Sequence, residues 1–266
     1  MIKGLLAVDE NLASSMALRF AARLTEILPL RLQAGHVEPL PTQQEIGSDR
    51  VRPIWKEGVV DAGHQAIQRL FNTEKVKCPF LGRPKVFVGN RDEVFLRELV
   101  NGAYDLFLEG YLDTGSARDF HRLITSPLYV ESPCPILMVK NLVGGRHVAL
   151  LCPDEDIEQR AAVFAAARRL LAGDGFDFEF LSYRYEENHC AVFPEQSGTD
   201  SALCGAVSLI GAEGRSPARS RVICGPPEKV ADLLQQYKLV VCPLPYANGP
   251  QLELLAHCPS PVLFCR

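Results

Sequence analysis

Short apolar runs alternate along the chain with longer stretches of helical spacing. Ile2 to Val8 is apolar and ends at Asp9-Glu10-Asn11. Asn11 or Ser14 then opens a run in which Ala13, Met16, Ala17, Phe20, Ala21, Leu24 and Ile27 recur at helical intervals. Arg31 to Val37 alternates as a strand and stops before Pro39 and Pro41, and Leu40 to Pro53 reads as a loop. A helix is predicted over Ile54 to Phe71, with Val59, Val60, Gly63, Ile67 and Phe71 inward, followed by a strand at Lys85 to Gly89. Behind an Asn90 cap, Arg91 to Ala103 places Val94, Phe95, Leu96, Leu99 and Val100 on one face. Asp105 to Gly110 is a fourth strand, Ser116 to Ser132 a weaker helical stretch, and Pro133-Cys134-Pro135 leads into a fifth strand, Ile136 to Val139. Strands this apolar, interleaved with helices, call for a parallel sheet covered on both faces.

The pattern then restarts beyond Gly144-Gly145. Val148 to Cys152 repeats the opening strand and Ile157 to Leu171 the first helix. Phe176 to Leu181, Arg221 to Gly225 and Leu239 to Cys242 supply further strands, with a helix at Glu228 to Tyr237. Cys258-Pro259-Ser260-Pro261 followed by Val262 to Cys265 matches the earlier proline-led strand about 126 residues upstream, one domain length. The expectation is two tandem α/β domains, 1–141 and 145–266. Tyr183 to Arg219 has poor periodicity and predicts a reduced or irregular helix.

Composition narrows the function. The 266 residues are 47% hydrophobic and 23% charged, able to bury ordinary cores. A net charge of −4 argues against a general binder of nucleic acid or anionic membrane. The opening apolar run meets Asp9 too early for a membrane or export segment, and nine cysteines without paired spacing read as reduced thiols, so a cytoplasmic location is expected. His189-Cys190 and His257-Cys258 lack metal-ligand spacing, and no metal cluster is expected. Cys78, just after Lys75 and Lys77, is the best candidate for a reactive thiol. No G-x-S-x-G, G-x4-G-K-[ST] or G-x-G-x-x-G run occurs, which disfavours an enzyme.

In order, Leu6-Ala7-Val8-Asp9, His36-Val37, Gly89 before a helix, Asp105 to Gly110 and Pro133 to Val139 resemble the universal stress proteins, specifically their tandem members. The resemblance implies two five-stranded α/β/α domains of the adenine nucleotide alpha-hydrolase-like fold, paired about a pseudo-two-fold axis as an intramolecular pseudo-dimer, with further homodimerisation open. It also implies an adenine-nucleotide cleft, for ATP or AMP, at the carboxyl ends of the strands. Carried over residue by residue, Ala7, Val8 and Asp9 end the first strand, with Asp9 on the base or ribose. Val37 lies against adenine, and Gly110, Gly115, Thr125 and Ser126 border the phosphates. Asp9 also reads as a helix cap, Val37 as core and the glycines as turn residues.

The family's phosphate loop, G-x2-G-x9-G-[ST], is matched only in part by Gly110 to Gly115 and then Thr125-Ser126. Its first spacing is too long, Thr125 replaces a glycine and Pro127 follows Ser126. In the second domain Pro153 stands where Asp9 does, and the loop Pro243 to Pro250 holds three prolines. The resulting expectation is a stress-associated regulatory protein that binds adenine nucleotide in its first domain only. The alternative is an interaction scaffold acting through protein partners.

Overall fold

The computed structural model of the protein describes residues 1–39, 52–112, 116–153, 157–171, 176–194, 219–245 and 249–265. They form two compact units, one comprising Met1–Leu112 with Arg122–Lys140, the other Asp113–His121 with Asn141–Arg266.

From Met1 to Lys140 the elements are β1 (Ile2–Ala7), α1 (Leu12–Thr25), β2 (Leu30–Glu38), α2 (Arg52–Glu74), β3 (Lys85–Val88), α3 (Arg91–Gly102), β4 (Leu106–Gly110), α4 (Ala117–Ile124), α5 (Pro127–Glu131) and β5 (Ile136–Val139). The strand order is β3-β2-β1-β4-β5, parallel at every step. Central β1 and β4 carry fully buried Leu5, Leu6, Phe107 and Leu108, each worth roughly 2 kcal/mol of burial. The core face of α1 holds Ala13, Ala17, Phe20, Ala21 and Leu24, as its spacing predicts. Met16 and Ile27 are only half-buried, and Leu18 and Leu28 take the inward places instead. On α3, Val94, Phe95 and Leu99 are buried but Val100 is 62% exposed, one step off the inward stripe. Helix α2 starts at Arg52, earlier than Ile54, and buries Gly63, Ala66, Ile67 and Leu70. Phe71 is half-buried and stacks on Phe80, ring centroids 4.7 Å apart. The weak helical stretch after β4 is two short helices, because Pro127 cannot continue α4 but suits the first turn of α5.

Unit 2 has β6 (His147–Pro153), α6 (Ile157–Leu170), β7 (Asp177–Arg184), β8 (Ala191–Pro194), β9 (Arg219–Cys224), α7 (Pro227–Leu234), β10 (Leu239–Pro243), α8 (Pro250–His257) and β11 (Val262–Cys265). Five strands in the order β9-β7-β6-β10-β11 reproduce the arrangement of unit 1. A sixth, β8, pairs antiparallel with β9 at the edge. The expected irregular helix over Tyr183 to Arg219 thus includes this short strand, and residues 195–218 lie outside the described residues. Residues 116–121, which include the first five of α4, belong to unit 2, where buried Phe120 sits 6.5 Å from the ring of Phe264.

The prolines before β5 and β11 have a ladder role. Pro135 accepts from the amide of Phe107 at 3.0 Å, and Pro261 accepts from that of Val240 at 2.9 Å. A proline carbonyl loses nothing by the missing N–H, so it can start a buried strand. Among the described residues no helix is long and apolar enough to cross a membrane.

Candidate functional site

In an open parallel sheet the ligand crevice forms at the carboxyl ends of the strands, where the strand order reverses. In unit 1 that point lies between β1 and β4. Ala7 and Val8 reach it buried, and the Val8 amide donates to Gly35 O at 2.9 Å. Asp9 follows, its carboxylate 39% exposed and its amide donating to Ser14 Oγ at 2.8 Å. The cap of α1 is Asn11, whose side chain accepts from the Ser14 amide, so Asp9 is released from capping.

Asp9 is instead tied to β2. His36, 7% exposed, places Nδ1 3.0 Å from Asp9 Oδ1 and 2.8 Å from Val8 O, with Nε2 3.0 Å from Glu38 Oε1. Each ring nitrogen faces only oxygen acceptors, so both carry protons and the ring is an imidazolium. Burial opposes that charge, but hydrogen bonds to Asp9, Glu38 and Val8 outweigh it and raise the pKa to about 9.

A second network crosses the end of β4. Glu109 is 3% exposed and accepts from the Arg91 guanidinium and from the Tyr129 hydroxyl. Arg91 also lies over the Phe95 ring, 5.1 Å from its centroid, with Nη1 3.7 Å from Asp92. The phenol of Tyr129 is held well above its ordinary pKa by burial and by the Glu109 charge. Arg91 arrives here because Gly89, at φ 154°, turns the chain out of β3, and Asn90 caps α3 by accepting from the Asp92 and Glu93 amides. Nearby, Arg69 of α2 pairs with Glu10.

Val37 is half-buried at the end of β2, opposite Phe87. Gly110 ends β4 under the first turn of α1, and a Cβ there would stand 1.9 Å from Ala13 O, so its smallness admits the helix backbone. Gly115 lies outside the described residues. Thr125 is exposed, its Oγ1 donating to Arg122 O at 3.4 Å, and Ser126 opens α5 with its hydroxyl buried and unpartnered.

His36 and Glu109 were visible in the sequence only as a strand-end marker and a nearby negative charge, and Arg91 only as a helix start. A glutamate closing an apolar strand run such as Leu106-Phe107-Leu108 was the available signal, since such a group needs a partner.

Strand register aligns the corresponding end of unit 2. Pro153 stands at the position of Asp9, Ser182 of His36, Tyr183 of Val37, Arg184 of Glu38, Pro227 of Arg91, Cys242 of Glu109 and Pro243 of Gly110. Gly225 mirrors Gly89, with φ 145° and its amide donating to Arg184 O as that of Gly89 does to Glu38 O. Tyr183 is buried, and its hydroxyl donates to Gly225 O at 3.0 Å. His189 and Cys190 backbone atoms stand 3.1 and 3.2 Å from where a Gly225 Cβ would be, so the chain before β8 folds over this end. Residues 246–248 of the proline-rich loop lie outside the described residues.

Cys78 is not the activated thiol its lysine neighbours suggest. It is partly buried beside Leu18 O, and desolvation pushes its pKa up to about 11. Among the described residues no group of three or more His, Cys, Asp or Glu could hold a metal.

No protein-family model and no curated protein matches the sequence. Solved structures do match. A universal stress protein from Archaeoglobus fulgidus superposes with a TM-score of 0.64 at 14% identity, covering 99% of this chain and 96% of its own. A functionally unknown protein from Pseudomonas aeruginosa (TM-score 0.57, 14% identity) covers 99% and 92%, and a proposed universal stress protein from that species (0.57, 15%) covers 99% and 93%. The chain therefore has the universal stress protein fold, repeated in tandem.

Proposed function

We propose that the protein is a stress-associated regulator of the universal stress protein type, in which unit 1 binds an adenine nucleotide and unit 2 does not. The observation that carries this reading is the pair of charged networks at the β1/β4 switch point of unit 1, Asp9-His36-Glu38 and Arg91-Glu109-Tyr129. Charged groups brought together at a strand-end crevice cost desolvation, and at such places they mark sites more often than scaffolding. Asp9 and Arg91, each more than a third exposed, offer a ligand an acceptor and donors. The function is binding, not turnover: a nucleotide held or released changes the state read by a protein partner. Unit 2, with Tyr183 and the chain before β8 filling the equivalent end, serves as scaffold.

Calorimetric titration of the purified chain with AMP and ATP tests the reading. Saturable binding weakened at least about tenfold by Asp9→Asn supports it, since a charge-assisted hydrogen bond is worth roughly 1.5–3 kcal/mol. No saturable heat with either ligand rejects it.

A further inference from the structure

The charge balance and backbone geometry of the unit 1 crevice bear on how many phosphates a ligand there can carry. Among the described residues, three cations border the ends of β1 and β2 and the start of α3, and each is already matched. Arg69 pairs with Glu10, His36 with both Asp9 and Glu38, and Arg91 with Glu109 and, more loosely, Asp92. Five carboxylates thus meet three cations. Lys140, at the end of β5, is 8% exposed with its ammonium 5.5 Å over the Tyr111 ring.

The backbone adds to this. A glycine loop cradles phosphates with N–H groups pointing at the ligand. Here the first amide after Gly110, that of Tyr111, is spent in the sheet, donating to Val139 O at 2.9 Å. Above Gly110 stands the Ala13 carbonyl, close enough that a Cβ would be 1.9 Å from its oxygen. Gly110 is thus packed against the backbone of α1 and is not open to a ligand.

Resting on the adenine-nucleotide reading above, we propose that unit 1 selects a nucleoside-class ligand with at most one phosphate group and discriminates against the triphosphate. Asp9 and Glu38 present acceptors, which suit hydroxyl and amine donors. Arg91, neutralised by Glu109 but with N–H groups to spare, suits a neutral acceptor or a single phosphate. Each further phosphate adds negative charge beside carboxylates whose countercharges are taken.

The test is competitive calorimetry on the whole chain with adenosine, AMP and ATP, at constant ionic strength and in the presence of a chelator. The expected result is ATP bound about tenfold or more weaker than the better of adenosine and AMP. The Glu10→Gln/Glu38→Gln variant should narrow that ratio to threefold or less. ATP binding as tight as adenosine and AMP overturns the selectivity while leaving the nucleotide reading in place. Absence of binding by all three ligands in the wild-type chain removes that reading and this inference together. If the double variant folds, shown by an unchanged far-UV spectrum, yet keeps the full ratio, the electrostatic origin is wrong.

Discussion

The carboxyl ends of the two sheets share a backbone and differ in almost every side chain. Both units close their strand-four ladder with a proline carbonyl and turn out of the third strand on a left-handed glycine, Gly89 or Gly225. Between those fixed points, unit 1 sets two carboxylates around an imidazolium and a buried glutamate between a guanidinium and a phenol. Unit 2 sets proline, serine, tyrosine and cysteine in the corresponding places. The difference teaches that the fold is held by ladder and core, while the strand ends can change chemistry without disturbing it.

If unit 1 depends on its polar networks, the largest effect follows from cutting the most buried one. Glu109→Ala leaves the Tyr129 hydroxyl and Arg91 without their shared acceptor and costs about 3 kcal/mol, below the upper range for a buried pair because Arg91 is partly exposed. Cys242→Ala at the matching place in unit 2 removes one small apolar group and costs about 1 kcal/mol. Urea unfolding with hydrogen exchange, which assigns the loss to each unit, measures both.

A smaller effect sharpens the contrast by pH. The His36 pKa is raised in the folded state to about 9 against an ordinary 6.5. Its contribution is therefore complete below about pH 6.5 and is lost as pH rises through about 9, a decline of roughly 3 kcal/mol. His36→Gln flattens that decline relative to wild type across this window, as followed by the urea midpoint, whereas Ser182→Ala in unit 2 leaves it unchanged. Smaller still, Asn90→Ala removes the cap of α3 and costs about 1 kcal/mol in thermal unfolding. Helix α7 opens on Pro226, with no side-chain acceptor to lose.

Much of the architecture was legible because hydrophobic period and turn residues are local. The strands at Ile2, Lys85, Ile136 and Val262, the Asn90 cap and the tandem repeat all follow from neighbours in sequence. What stayed hidden depends on side chains far apart in the chain. Nothing near His36 indicates that Asp9, 27 positions earlier, meets its ring, although Glu38, two positions on, shares its strand face. Nothing near Glu109 indicates Arg91 and Tyr129. Val100 and Ile27 were placed inward by spacing alone, and tertiary packing leaves Val100 exposed and Ile27 half-buried. Strand β8 was missed because four residues, Ala191 to Pro194, carry too little alternation to stand out.

The most direct measurement of the asymmetry between the units is ligand stoichiometry. Titration calorimetry of the intact chain with AMP is predicted to give one site per chain, weakened at least about tenfold by Asp9→Asn and unaffected by Tyr183→Phe. Two equivalent sites, or one site that survives Asp9→Asn and disappears with Tyr183→Phe, would contradict the account.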